Sequence, residues 1–170
     1  MKKLFFLIGS SGSGKTTATK AIEAMNLADL QVCYSDSIKV PSTEEMIKQH
    51  GSQEEWQRQN TVWWVAKIKK EYLPSKDVLF DIQSRPSFID EACTRNDIKS
   101  YEVILFDCSN EERKRRLIIE RKQPELANDQ MMDWARYLRE RCIGTNHTIL
   151  DNTEITPQQS LKKLLEIIGR

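Results

Sequence analysis

Gly9-Ser10-Ser11-Gly12-Ser13-Gly14-Lys15-Thr16 is the stretch on which the reading of this chain turns. It fits G-x-x-x-x-G-K-[ST] at every position, and Thr17 follows. Taken alone, its Gly/Ser composition suits a flexible linker. Its neighbours argue otherwise. Leu4 to Ile8 is an unbroken apolar run of the kind that is buried on both faces of a parallel sheet, and Lys15 to Met25 reads as a helix. Between a strand and a helix, glycines let backbone N–H groups wrap an anion, and the helix N-terminus adds the positive end of its dipole. Lys15 supplies a mobile cation for β- and γ-phosphates, and the Thr16 hydroxyl suits Mg²⁺. A dinucleotide fingerprint fits poorly, because Thr17 stands where Gly12-Ser13-Gly14 would need a third glycine.

Outward from this loop, four more short apolar runs follow: Leu30 to Tyr34, Val78 to Phe80, Tyr101 to Phe106 and Thr148 to Leu150. Each meets an aspartate at or just beyond its end, namely Asp36, Asp81, Asp107 and Asp151. The stretches between them carry helix-start signals. Ser42-x-x-Glu45, Ser52-x-x-Glu55 and Ser109-x-x-Glu112 read as capping boxes, and Thr156-Pro157-Gln158-Gln159 adds proline at the first helical position. Strands alternating with helices predict an α/β fold, a five-stranded parallel sheet with helices on both faces. In such a sheet ligands bind outside the carboxyl ends of the strands.

The chain has 170 residues, which suits one domain, residues 1–170. Two stretches, about 41–75 and 113–141, exceed what a simple crossover needs. Lys and Arg total 26 against 25 Asp and Glu, a net charge of +1, so no bulk field favours nucleic acid or an acidic membrane. The basic run from Arg113 to Lys122 is interspersed with acids and reads largely as a solvated helix face. Cys33, Cys93, Cys108 and Cys142 form no C-x-x-C pair and there are only 2 histidines, which argues against a zinc site or a disulfide framework and suits a reducing cytoplasm. The apolar run near Met1 is too short for a secretory signal, and no stretch approaches the ~20 apolar residues of a membrane span. The expectation is a monomer or a small homo-oligomer with a small-molecule partner and no membrane, the near-neutral charge arguing against nucleic acid.

With the phosphate loop and the strand-end acids in place, the sequence resembles the P-loop kinases of nucleotides and small metabolites, the superfamily of adenylate, shikimate and gluconate kinases. The resemblance covers essentially the whole chain in its order of elements, and only the phosphate loop is a highly specific match. It implies a three-layer P-loop fold with a helical lid, ATP and Mg²⁺ as cofactors, and a small-molecule phosphoryl acceptor. Gly9, Ser10, Ser11, Gly12, Ser13, Gly14, Lys15, Thr16 and Thr17 would hold the nucleotide. Asp36 resembles the strand-end acid that contacts a hydroxyl acceptor and is the candidate general base; the plainer reading is a turn-capping aspartate. Asp81 resembles a Walker B carboxylate and would join Thr16 at the metal, the alternative being a structural strand end. Asp107 is read as structural.

Asp81-x-x-x-Arg85 resembles the adenylate kinase spacing in which the Arg grips the acceptor's phosphate, although Ile-Gln-Ser replaces the Gly-Phe-Pro of that family. Arg85 would bind phosphate or carboxylate, or form a surface ion pair, and Gln83 would add an amide contact to substrate. In the lid stretch Arg121, just before Lys122-Gln123-Pro124, resembles the shikimate kinase arginine that precedes a Pro-Leu-type segment and stabilises the transferring phosphoryl; Arg116 is the second choice. Met131, Met132, Trp134 and Leu138 read as lid packing. Trp56, Trp63 and Trp64 lie on the acceptor side, where at least two of them read as core. The leading expectation is a kinase acting on a hydroxyl-bearing metabolite, nucleoside or nucleotide. A nucleoside monophosphate kinase, a 5′-hydroxyl polynucleotide kinase and a nucleotide-dependent switch stand as alternatives.

Overall fold

The computed structural model describes residues 2–170. Its strands are β1 (Leu4–Ile8), β2 (Leu30–Tyr34), β3 (Asp77–Asp81), β4 (Tyr101–Asp107) and β5 (Thr148–Asp151). The helices are α1 (Lys15–Ala24), α2 (Thr43–His50), α3 (Gln53–Glu71), α4 (Pro86–Arg95), α5 (Asn110–Arg115), α6 (Asp129–Gly144) and α7 (Pro157–Ile167). The strands form one sheet in the order β2-β3-β1-β4-β5, parallel throughout. This is the α/β architecture that the alternation of strands and helices implies. The aspartates read as lying beyond the third, fourth and fifth runs are in fact the last residues of β3, β4 and β5.

Strand alternation divides the apolar residues between two cores. Leu4, Phe6, Ile8, Val78, Phe80, Val103 and Leu105 face α3, α4 and α6, where Trp64, Ile68, Ile89 and Leu138 close the layer. Phe5, Leu7, Leu79, Ile104 and Phe106 face α1 and α7, against Ala18, Ile22, Leu164 and Ile168. All five residues of β1 are buried, as its unbroken apolar run requires. Trp64 packs on Phe80 with ring centroids 5.3 Å apart, so it is a core residue. Trp63 is 49% exposed and meets Trp64 edge-on.

The capping signals divide in two. Ser42 and Thr156 form reciprocal boxes with Glu45 and Gln159. Ser52 and Ser109 accept the expected backbone N–H, but Glu55 and Glu112 do not reach back. Glu55 accepts from Arg58 and Gln59, and Glu112 from Arg115 and Arg116. A charge-assisted guanidinium bond outcompetes the return bond to a neutral backbone N–H. No helix among the described residues is long and apolar enough to cross a membrane. All four cysteines are buried and free, and burial pushes the Cys33 and Cys93 thiols up to about 12.

Candidate active site

Because β1 is central and β3 lies beside it, the loop after β1 and the aspartate ending β3 meet at the carboxyl edge of the sheet. The loop's shape is fixed by its glycines. Gly12 and Gly14 have φ of +81° and +88°, which side-chain-bearing residues adopt at a cost. At Gly9 the constraint is space, since a Cβ would lie 2.5 Å from the Phe106 carbonyl oxygen.

The loop's carbonyls are held from behind. Arg113 Nη1 donates to Ser11 O at 3.3 Å. Asn152 Nδ2 donates to Ser13 O at 2.7 Å, and Arg116 Nη1 reaches the same oxygen at 3.3 Å. Arg113 is fully buried and is itself held by Asp107 and the Cys108 carbonyl. Asp107 accepts from Arg113 on one oxygen and Arg139 on the other, both at 2.6 Å. Asp107 is structural, as its sequence position suggests. Arg113 and Asn152 escaped the sequence reading. Arg113 sits in a basic run, but it shares the buried stripe of Leu117 four residues on, and that register was the available signal.

The loop from Gly9 to Thr17 lines a cavity of about 440 Å³ together with Asp36, Asp81, Gln83, Arg116 and Arg121. Of the sequence-predicted site residues, Arg85 alone lies outside it. Lys15 Nζ pairs with the Asp81 carboxylate, whose second oxygen accepts from Thr19 Oγ1 at 3.2 Å. Burial lowers the Lys15 ammonium to about 8, and the negative charge of Asp36 pulls it partway back. Ser10 Oγ and Ser13 Oγ are buried in the loop and find no partner among the described residues. Unsatisfied hydroxyls inside a nest of backbone amides suit phosphate oxygens. Thr16, Asp36 and Asp81 present hard oxygen donors to the same space, which fits Mg²⁺ in its preferred chemistry.

The two arginines after β4 differ in their freedom. Arg116 is bound to Glu112, Asn152 and the Ser13 carbonyl. Arg121 is exposed at the cavity rim and has no ion pair among the described residues. Between them the helix widens into a π turn, Arg116–Glu120, closed by Arg121 N to Arg116 O at 2.9 Å. Lys122 follows with φ +53°. The helix therefore loosens before Pro124, earlier than the proline alone would require.

A second cavity, of about 750 Å³, adjoins the first through Gln83. Arg85 lines it with Glu54, Gln57, Gln130, Trp134 and Tyr137. The aromatic wall thus comes from α6, whereas Trp56, Trp63 and Trp64 line neither cavity. Of the residues read from sequence as packing, Met132 and Leu138 are buried in the core and Trp134 packs against it; Trp134 and Met131 also line this wall. Arg58 on α3 is bound to Glu55 and Glu91 and lines neither cavity.

No protein-family model and no curated protein matches the chain. Solved structures do. A sugar kinase from Janibacter sp. HTCC2649 superposes with a TM-score of 0.62 at 17% identity, covering 99% of this chain and 95% of that one. Shikimate kinase from Bacteroides thetaiotaomicron gives 0.63 at 21% identity, covering 99% of each chain. The Deinococcus radiodurans tunicamycin resistance protein gives 0.67 at 13% identity, covering 99% of this chain and 96% of that one. At such identities the likeness shows the fold alone, an α/β architecture shared with a sugar kinase and a shikimate kinase.

Proposed function

We propose that the protein is an ATP- and Mg²⁺-dependent phosphotransferase that moves the γ-phosphoryl of ATP to a hydroxyl of a small molecule. The observation that carries this reading is the meeting of the phosphate loop, Lys15, Asp36 and Asp81 in one cavity at the carboxyl edge of the sheet. A sugar kinase and a shikimate kinase among the structural neighbours support it.

The loop amides and the Ser10 and Ser13 hydroxyls grip the triphosphate. Lys15 leaves Asp81 for the β- and γ-phosphates, which frees the carboxylate. Thr16 and Asp81 would hold Mg²⁺, which when bound would supply neutralisation of charge on the transferring phosphoryl. Asp36 orients the acceptor hydroxyl and takes its proton as the oxygen attacks in line. Arg121, unpaired at the rim, turns inward to stabilise the equatorial oxygens. The turn it follows belongs to a lid narrower than the stretch 113–141 that the sequence suggests, because Arg113 and α6 are packed into the core; closure of the segment between them would exclude water.

The test is an ADP-release screen with Mg-ATP over nucleosides, sugars, hydroxy acids and nucleotides. Acceptor-stimulated release that vanishes in Lys15→Ala is expected. Mg-ATP binding by calorimetry with no stimulation by any acceptor would point to a nucleotide-dependent switch.

A further inference from the structure

The second cavity has a chemistry of its own. The only cationic side chain on its wall is Arg85, and that charge is already answered. Its Nη2 faces Glu54 at 3.3 Å and its Nη1 donates to Gln57 Oε1 at 2.9 Å. Its guanidinium carbon lies over the rings of Phe88, Trp134 and Tyr137, 5.3–5.7 Å from their centroids. The cavity's other charges, Glu54 and Asp133, are both negative, Asp133 being paired with Arg136 at 2.6 Å. An anion entering here would compete with Glu54 and Gln57 for the Arg85 guanidinium and would lie beside the Glu54 and Asp133 carboxylates.

What the wall offers instead is neutral hydrogen bonding and flat apolar surface. The side-chain amides of Gln83 and Gln130 make no hydrogen bond within the protein among the described residues, and both face the cavity. Trp134 and Tyr137 stack with centroids 5.4 Å apart and planes 13° from parallel, an aromatic plate beside Met131 that Arg85 already covers in part. Amides donate and accept, which matches hydroxyl groups, and an aromatic plate suits a ring face.

We infer that the acceptor is an uncharged, ring-bearing hydroxyl compound of the nucleoside or glycoside kind, laid against the Trp134–Tyr137 plate and bonded by Gln83 and Gln130, and not a nucleoside monophosphate or a hydroxy acid. This rests on the phosphotransferase reading above. Gln83 lines both cavities, so a molecule held by it reaches from the plate toward Asp36.

The experiment pairs each neutral acceptor with an anionic counterpart: a nucleoside with its 5′-monophosphate, and an alkyl glucoside with the corresponding aldonate. ADP release and indole fluorescence are read in parallel, with Trp134→Phe as the optical control. The neutral member of at least one pair should give kcat/KM at least tenfold above its anionic partner, and should quench fluorescence in the native protein but not in Trp134→Phe. Glu54→Gln, a change at an exposed position, should free Arg85 and shift the neutral-to-anionic ratio at least threefold toward the anion. Equal or better turnover of the anionic members overturns the acceptor class and leaves the kinase reading intact. Neither turnover nor quench with any neutral member also overturns it, and failure of Mg-ATP to bind overturns the kinase reading itself.

Discussion

Burial holds the Lys15 ammonium near a pKa of about 8, so its charge in the free protein is lost as pH rises through that value. Triphosphate binding favours the protonated form and raises the pKa again, so binding takes up a proton above pH 8. ATP affinity should therefore be flat below about pH 7.5 and decline as pH rises beyond it, as calorimetry across buffers would record. Lys15→Ala should abolish the dependence together with the binding. Asp36 acts twice on the proposed reading, as base and as the anion that raises Lys15. Asp36→Asn should cut transfer by about 10² or more while sparing ATP binding at neutral pH. It should also move the alkaline decline of ATP affinity to lower pH, a shift that removal of a base alone would not cause.

At the scale of elements, the feature of consequence is the bond between the start of the helix after β4 and the back of the phosphate loop. Arg113→Met removes the buried guanidinium that joins Asp107 to the Ser11 carbonyl. It should destabilise the protein by about 3 kcal/mol in urea unfolding, the lower end for a broken buried pair, since Arg139 still faces Asp107. ATP affinity should fall as well, although Arg113 touches no ligand on the proposed reading. The elements themselves were legible in the sequence. Unbroken apolar runs, capping serines and the aspartates at strand ends placed the strands and helices to within a few residues, because each signal is local. The phosphate loop was legible for the same reason. The brace was not, because Arg113 and Asn152 lie 39 positions apart and reveal a common purpose only when β4 and β5 pair. That Trp134, which packs against the core as its position suggests, also lines the second cavity was hidden for a related reason: Trp63-Trp64 on α3 and Trp134 on α6 look alike in sequence. Which side of a helix meets the sheet and which meets an open cavity depends on how the helices dock.

For the molecule as a whole, the sheet order sets the division of labour. The central strand delivers the phosphate loop, β2 and β3 deliver the acids on one side, and the segments after β4 deliver arginines from the other. Arg116 is tied to the rigid side of this arrangement and Arg121 is not. On the proposed reading Arg121→Ala should lower kcat and kcat/KM together by a similar factor, with little change in KM, because the guanidinium engages the transition state in preference to the bound substrate. Steady-state kinetics with the best acceptor would check it, and a pure KM effect would contradict the assignment. The widened turn ending at Glu120, the left-handed Lys122 and the exposed Arg121 also make a short seam in an otherwise tightly knit body. Trypsin, which cleaves after just these two side chains, should nick the native chain there first, and a non-hydrolysable triphosphate should slow the cut by drawing the seam down over its own phosphates.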